Sequence, residues 1–272
     1  MGSEMCIRDS VSPFCAPLYE GAGGKSFSIL RFIMDLGGLP VHGCVIRPLP
    51  VFKAVCPKMA MTYFVDGGRA LHVGQMFYIE APSKHIIVDA TPNAERIVPP
   101  PGFEVEAIKH PIEALADVGL RPEEVDVVIL THLHTDHVLN IESFTNAEIY
   151  VQEEELKFAK SPHVFWAGTY SGIDLNKLVA MRLKVVKGDY QLDEHIKLIY
   201  TPGHTPGTQS VLIETSLGPV VIAGFCSIRE NFEPPEAMRA QGIEVIPPGI
   251  HVDLIQAYES ALKVKRMAKI VI

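Results

Sequence analysis

From about residue 61 onward, short apolar runs alternate with stretches at helical spacing. Residues 76–81 and 85–90 are rich in Ile, Val, Phe and Tyr, and predict paired strands around a turn at Pro82 and Ser83. Residues 111–118 predict a helix that Pro111 opens and Gly119 stops. Residues 125–130 predict a buried strand, 148–151 another strand, 153–160 a helix, and 173–183 follow a helical pattern. Strands are predicted at 197–200, 209–214 and 219–223. A long helix runs from about 253 to 268, with Asp253 of N-cap type and Leu254, Tyr258, Ala261 and Leu262 on one face. Strands and helices mix in both halves, with hairpins as well as crossovers. The implied class is α/β, with two sheets and helices packed outside them.

The first sixty residues differ. They hold Cys6, Cys15, Cys44 and Cys56 and many Gly and Pro, with little periodicity. The opening MGSEMCIRDS has the character of translated adaptor sequence, and Met59 and Met61 stand just before the clear pattern. The expected organisation is an irregular segment over 1–60, either non-native or a genuine irregular extension, and one domain over 61–272.

Composition narrows the partners. At 272 residues, 47% hydrophobic and 21% charged, the chain can bury a large core without disulfides. Its net charge of -8 repels phosphate backbones and argues against nucleic acid. Five cysteines with no C-x-x-C pair do not form a disulfide framework or a cysteine zinc site, and fit a reducing, cytoplasmic setting. No apolar run approaches the roughly 18 residues of a membrane span, and the start lacks a signal-peptide pattern. A homodimer is left open.

The chemistry concentrates in Thr131-His132-Leu133-His134-Thr135-Asp136-His137, directly after the apolar run 127–130. In extended chain, residues two apart point the same way, so His132 and His134 can meet one ion. Asp136 and His137 follow where the chain turns and can meet a second. Imidazole and carboxylate are ligands that zinc accepts; Fe, Mn or Co fit the same donors. Two ions about 3.5–4 Å apart can share a water, whose hydroxide attacks a carbonyl while a nearby carboxylate carries the proton. Packing does not explain three His and one Asp within six residues after a strand, because burying them unpartnered costs several kcal/mol. A second signal, Thr201-Pro202-Gly203-His204-Thr205-Pro206-Gly207, fixes one histidine in a rigid loop after a strand. Paired with the first motif, it offers a third imidazole.

Together, the H-x-H-x-D-H string and the G-H-T-P-G loop resemble the metallo-β-lactamase superfamily over residues 76–272. The resemblance implies an αββα sandwich of two mixed sheets flanked by helices. It places His132, His134 and His204 on one metal and Asp136 and His137 on the other, with zinc as the implied cation, as one or two ions. Within the superfamily the chain is most similar to the N-acyl homoserine lactonase branch, through Gln209-Ser210, Arg229-Glu230-Asn231-Phe232-Glu233 and the pattern of 263–272. The implied reaction is opening of a small-molecule lactone or ester by a metal-bound hydroxide, with Asp136 as the catalytic proton carrier. The alternatives are a glyoxalase II-like thioester hydrolase, or a metal-binding scaffold without turnover.

Two departures stand out. The superfamily's bridging Asp is absent, because residues 220–226 read VVIAGFC with no carboxylate at Gly224 or Phe225. The superfamily's last ligand histidine follows a strand that matches 269–272, where this sequence ends, so a truncated domain is expected. The second metal would then rest on Asp136 and His137, with Cys226 or His251 as improvised partners. Asp89, at a strand end, is expected to brace the metal loop. His42, His72, His85, His110, His163 and His195 read as surface or packing residues, with His163 in an aromatic loop that could wall a pocket.

Overall fold

The computed structural model describes residues 39–41, 44–64, 67–215 and 218–272. Two sheets stack face to face. The first joins β1 (Leu39–Val41), β2 (Cys44–Pro57), β3 (Arg69–Ala81), β4 (Lys84–Val88), β5 (Glu104–Ala107), β6 (Val127–Ile129), β7 (Glu148–Gln152) and β8 (Leu183–Val186). Its order is β1-β2-β3-β4-β6-β7-β8, with β5 paired to β2. Pairing is antiparallel from β1 to β4 and parallel from β4 to β8. The second joins β9 (Tyr190–Gln191), β10 (Ile196–Tyr200), β11 (Gln209–Ile213), β12 (Val220–Ile222) and β13 (Ile270–Val271) in the order β13-β12-β11-β10-β9. It too is mixed, because β12 and β13 run parallel.

Period-two alternation in strands buried on both faces builds four layers. Ile86, Val88, Val127 and Ile129 face Leu198, Val211, Ile213, Val220 and Ile222 across the middle of the sandwich. Their neighbours Ile87, Val128 and Leu130 turn outward onto Leu115, Leu156 and Leu178 of the outer helices. On the other side, Ile199, Leu212 and Val221 pack against Ala261, Leu262 and Val264 of the helix Leu254–Met267. Asp253 caps that helix by accepting a hydrogen bond from the Gln256 N–H at 2.9 Å. The expected αββα sandwich is the observed architecture.

The structure differs from the expectation in two places. Residues 44–57, taken with the irregular segment, form a 14-residue strand, β2, that pairs along most of β3. Ile46, Leu49, Val51 and Phe52 of that strand are buried, so the boundary expected at 60/61 cuts through packed structure. Pro48 and Pro50 disguised the strand; proline donates no ladder hydrogen bond, and the register shifts between Pro50 and Phe52. The helix expected over 173–183 is only Leu175–Ala180, and Leu183 already begins β8. The adaptor-like opening, Cys6, Cys15 and His42 lie outside the described residues. Among the described residues no helix is long and apolar enough to cross a membrane.

The two sheets are tied together at one end. The Gln209 backbone N–H donates to Thr131 O at 2.9 Å, and its side-chain amide donates to Leu130 O at 2.8 Å. Its Oε1 accepts from the Gln152 amide at 2.9 Å. This end carries both histidine motifs: one follows β6 and the other forms the β10–β11 connection.

Ile129 is fully buried between the sheets. Ile129→Ala is expected to lower the unfolding free energy by about 2–5 kcal/mol, read from the urea midpoint at unchanged slope.

Candidate metal centre

Three side chains meet at the tied end. His132 and His134 leave the end of β6, and His204 comes from the rigid loop before β11. All three are buried. Their ligand atoms lie within 4.8 Å of one another, the only such grouping of His, Cys, Asp or Glu among the described residues. Ring centroids are 4.6 Å apart for His132 and His134, 4.7 Å for His132 and His204, and 4.9 Å for His134 and His204.

Hydrogen bonds fix which nitrogens face inward. His204 Nδ1 donates to Ile250 O at 2.7 Å, leaving Nε2 bare. The Thr131 hydroxyl donates to Asp89, at 2.9 Å, and therefore accepts from His132 Nδ1 at 3.0 Å. His132 Nε2 is then bare as well. These two nitrogens stand 3.2 Å apart. His134 Nε2 is buried with no hydrogen-bond partner. Lone pairs directed at one another this closely repel unless a cation shares them. Around a tetrahedral zinc, at bonds of about 2.0–2.1 Å, ligand nitrogens stand about 3.3–3.4 Å apart. The donor set fits a divalent metal on geometry, on tautomer and on its orphaned nitrogen.

Electrostatics agree. Burial holds His132 and His134 well below the usual imidazole pKa, and neighbouring histidines push the same way. Burial also lowers His204, to about 4. All three are neutral near pH 7, the form that binds metal.

Asp136 and His137 lie beside this triad. His137 Nε2 is 3.4 Å from Asp136 Oδ2, and its ring centroid is 4.1 Å from that of His132. Burial alone would lower the His137 pKa, but the carboxylates of Asp136 and Asp89 outweigh it and hold it well above 6.5. Burial opposes the Asp136 charge too, and His137 prevails, depressing the carboxyl below its ordinary range. Asp89 braces the loop as expected. It accepts from the Thr131 N–H at 2.8 Å and from His137 Nδ1 at 2.7 Å, with its own backbone left-handed at φ 65°.

The improvised partners stand elsewhere. Cys226 Sγ is 3.9 Å from His204 Nδ1, the nitrogen engaged with Ile250 and not the one that faces His132. It lies against the Ala60 and Ile250 carbonyls, and burial pushes its thiol up to about 12. His251 donates to Pro248 O at 2.8 Å and packs edge-on against Tyr63. In the aromatic loop, Val164 and Phe165 are exposed, and Trp166 packs against the outer core of the first sheet. At Gly224 a side chain has no room: a Cβ there would stand 1.9 Å from Gln209 O.

The sequence reading missed Glu155. It is fully buried at the start of the helix Glu153–Lys160. It accepts from the Leu133 N–H at 2.9 Å, the Tyr170 hydroxyl at 2.8 Å, the Thr205 hydroxyl at 2.5 Å and the Gly207 N–H at 3.1 Å. Burial pushes its pKa upward and these donors pull it back. A signal was present, because helical spacing puts Glu155 on the buried face with Leu156 and Ala159. Gly207 is glycine because a Cβ would meet Glu155 N at 2.1 Å.

The family model of the metallo-beta-lactamase superfamily matches residues 70–265, and the chain belongs to that superfamily. An N-acyl homoserine lactonase of a Bacillus species is 36% identical over 124 residues, 45% of this chain and 47% of that protein. A probable metallo-hydrolase of Methanocaldococcus jannaschii is 31% identical over 161 residues, 59% of this chain and 62% of that protein. The chain thus spans about half the length of the N-acyl homoserine lactonases it matches. Among solved structures, a quorum-quenching N-acyl homoserine lactone hydrolase superposes with a TM-score of 0.67 at 22% identity, covering 86% of this chain and 91% of that one. A dizinc quorum-quenching lactonase does so with a TM-score of 0.58 at 16% identity, covering 83% of each chain. At those identities the structural likeness is one of fold.

Two outcomes are expected. The unfolded chain takes up protons on its histidines near pH 6.5, whereas His132, His134 and His204 resist them in the folded state. Their contribution to stability is therefore present above pH 6.5 and is lost as pH falls below it, that of His204 by about pH 4. His137 has the opposite sign and keeps its full contribution below 6.5. The melting temperature of the metal-free protein should drop between pH 6.5 and 4, and by less in a His204→Gln variant. Gly224→Asp should cost about 3 kcal/mol or more in urea unfolding and add no metal equivalent by elemental analysis, because its Cβ meets backbone. A second tightly held equivalent would refute this.

Proposed function

We propose that the protein is a zinc-dependent hydrolase that opens the ring of a lactone, in the manner of an N-acyl homoserine lactonase. The observation that carries this reading is the trio of buried, neutral imidazoles with inward nitrogens, 3.2 Å apart for His132 and His204. The matched relatives named as N-acyl homoserine lactonases supply the substrate class. His132, His134 and His204 would hold a divalent cation, which would supply Lewis acidity toward a water and an ester carbonyl. Asp136, partly exposed beside the triad, takes the proton of the attacking water and returns it to the departing ring oxygen. One water is consumed, one C–O bond breaks, and a hydroxy acid results with no redox change. His137, aligned by Asp89, keeps Asp136 ionised near pH 7 and by the same contact lowers its affinity for that proton. Asp136 and His137 together offer a second, weaker cation position.

One observation favours a different reading, a metal-binding scaffold without turnover: the bridging carboxylate that the resemblance implies near Gly224 and Phe225 is absent, and at Gly224 no side chain fits.

The test is a substrate panel on zinc-loaded protein, with acyl-homoserine lactones of graded chain length set against glutathione thioesters. Lactone opening, followed by acid release, is expected. Asp136→Asn should lower kcat by about 10²–10⁴ while the first-site metal stays bound. Turnover of thioesters alone would reassign the enzyme to glyoxalase II-like chemistry, and bound zinc with no turnover of either would favour the scaffold.

A further inference from the structure

Every donor that reaches Glu155 belongs to the metal centre. Leu133, whose N–H it accepts, lies between His132 and His134. Thr205 follows His204, and Gly207 closes the same loop. The fourth donor is Tyr170, whose ring stands edge-on to His134 at 5.1 Å between centroids. An ionised carboxylate has about four acceptor sites, and here all four are filled. No oxygen of Glu155 belongs to the ligand grouping itself. Asp89, the other buried carboxylate of the centre, holds only the loop after β6, through Thr131 and His137. Of these two carboxylates only Glu155 bonds both ligand loops, and these loops come from different sheets.

We propose that Glu155 is the positioning residue of the metal centre: its carboxylate locks the loop of His132 and His134 to the loop of His204 and so sets the affinity for the cation. Glutamine is not a neutral replacement. Each carboxylate oxygen accepts one backbone N–H and one hydroxyl. An amide NH₂ at either oxygen would face a backbone N–H that cannot reverse its role. Partners that orient metal ligands typically carry about 10–100-fold in metal affinity. The inference rests on the metal-site reading above, so its test includes a measurement that needs no metal.

Zinc affinity is measured by chelator competition on wild type, Glu155→Gln and Leu115→Ala. Leu115 is a buried outer-core residue of the helix Pro111–Ala116 and makes no hydrogen bond to either ligand loop. Glu155→Gln is expected to weaken zinc binding by about 10–100-fold. Leu115→Ala should leave affinity within about twofold at a comparable loss of melting temperature, because a core cavity lowers stability without moving the ligands. Wild-type affinity in Glu155→Gln, or an equal loss in Leu115→Ala, would overturn the proposal. Should Glu155→Gln fail to fold, Tyr170→Phe decides: it keeps the ring against His134 and deletes one donor. An affinity loss of about threefold or more is then expected, and no loss overturns the proposal. Amide exchange in the metal-free protein supplies the independent arm. The Leu133 and Gly207 N–H groups should exchange faster together in whichever variant folds, and wild-type rates at both would overturn the clamp. Failure of wild type to bind zinc sinks the metal-site reading instead, and leaves the exchange result to judge Glu155.

Discussion

Three imidazole nitrogens aimed at one small volume make an arrangement that opposes itself. The lone pairs of His132 and His204 repel, and His134 presents a nitrogen with no partner. Such a site does not arise from good packing, since a buried polar atom left unpaired costs free energy of its own. It persists because other contacts overdetermine it. Ile250 O fixes the His204 tautomer, the Asp89–Thr131 pair fixes that of His132, and Glu155 fixes the distance between their loops. These bonds leave the ligand nitrogens little freedom to turn away from one another.

The same end of the sandwich explains why the two halves of the site are unequal. The triad draws on both sheets, which Gln209 ties together within a few residues of the ligands. Asp136 and His137 hang from one loop and turn toward each other as an ion pair. At Gly224, after β12, the start of β11 occupies the space a side chain would need. Cys226, two residues on, packs behind His204.

Much of this was legible in the sequence because it is local. His132, His134, Asp136 and His137 declare themselves by spacing, and the Thr-Pro-Gly corners mark His204 as rigidly held. The alternating buried strands β4, β6 and β11 follow from runs of Val, Ile and Leu. What escaped is non-local or disguised. β2 was hidden by Pro48 and Pro50, which a strand accommodates only with an irregular ladder. β8 is partly exposed, with Lys184 and Val185 facing solvent, so its apolar signal is thin. Glu155 follows two other glutamates at the start of an ordinary-looking helix, and its partners lie 22 residues before it and up to 52 after it. Only the fold shows that this glutamate points inward.

Asp89 illustrates how narrowly such a centre constrains its chain. Its backbone sits at φ 65°, which glycine, asparagine and aspartate tolerate best among the amino acids. Its two oxygens accept from the Thr131 N–H, the Thr131 hydroxyl and His137 Nδ1. Glycine satisfies the backbone and offers no acceptor. Asparagine offers one oxygen where two are needed, and sets an amide hydrogen against a donor. Glutamate supplies the oxygens, but not the torsion or the reach. The torsional and acceptor requirements overlap in one residue type, so drift at this position has nowhere to go.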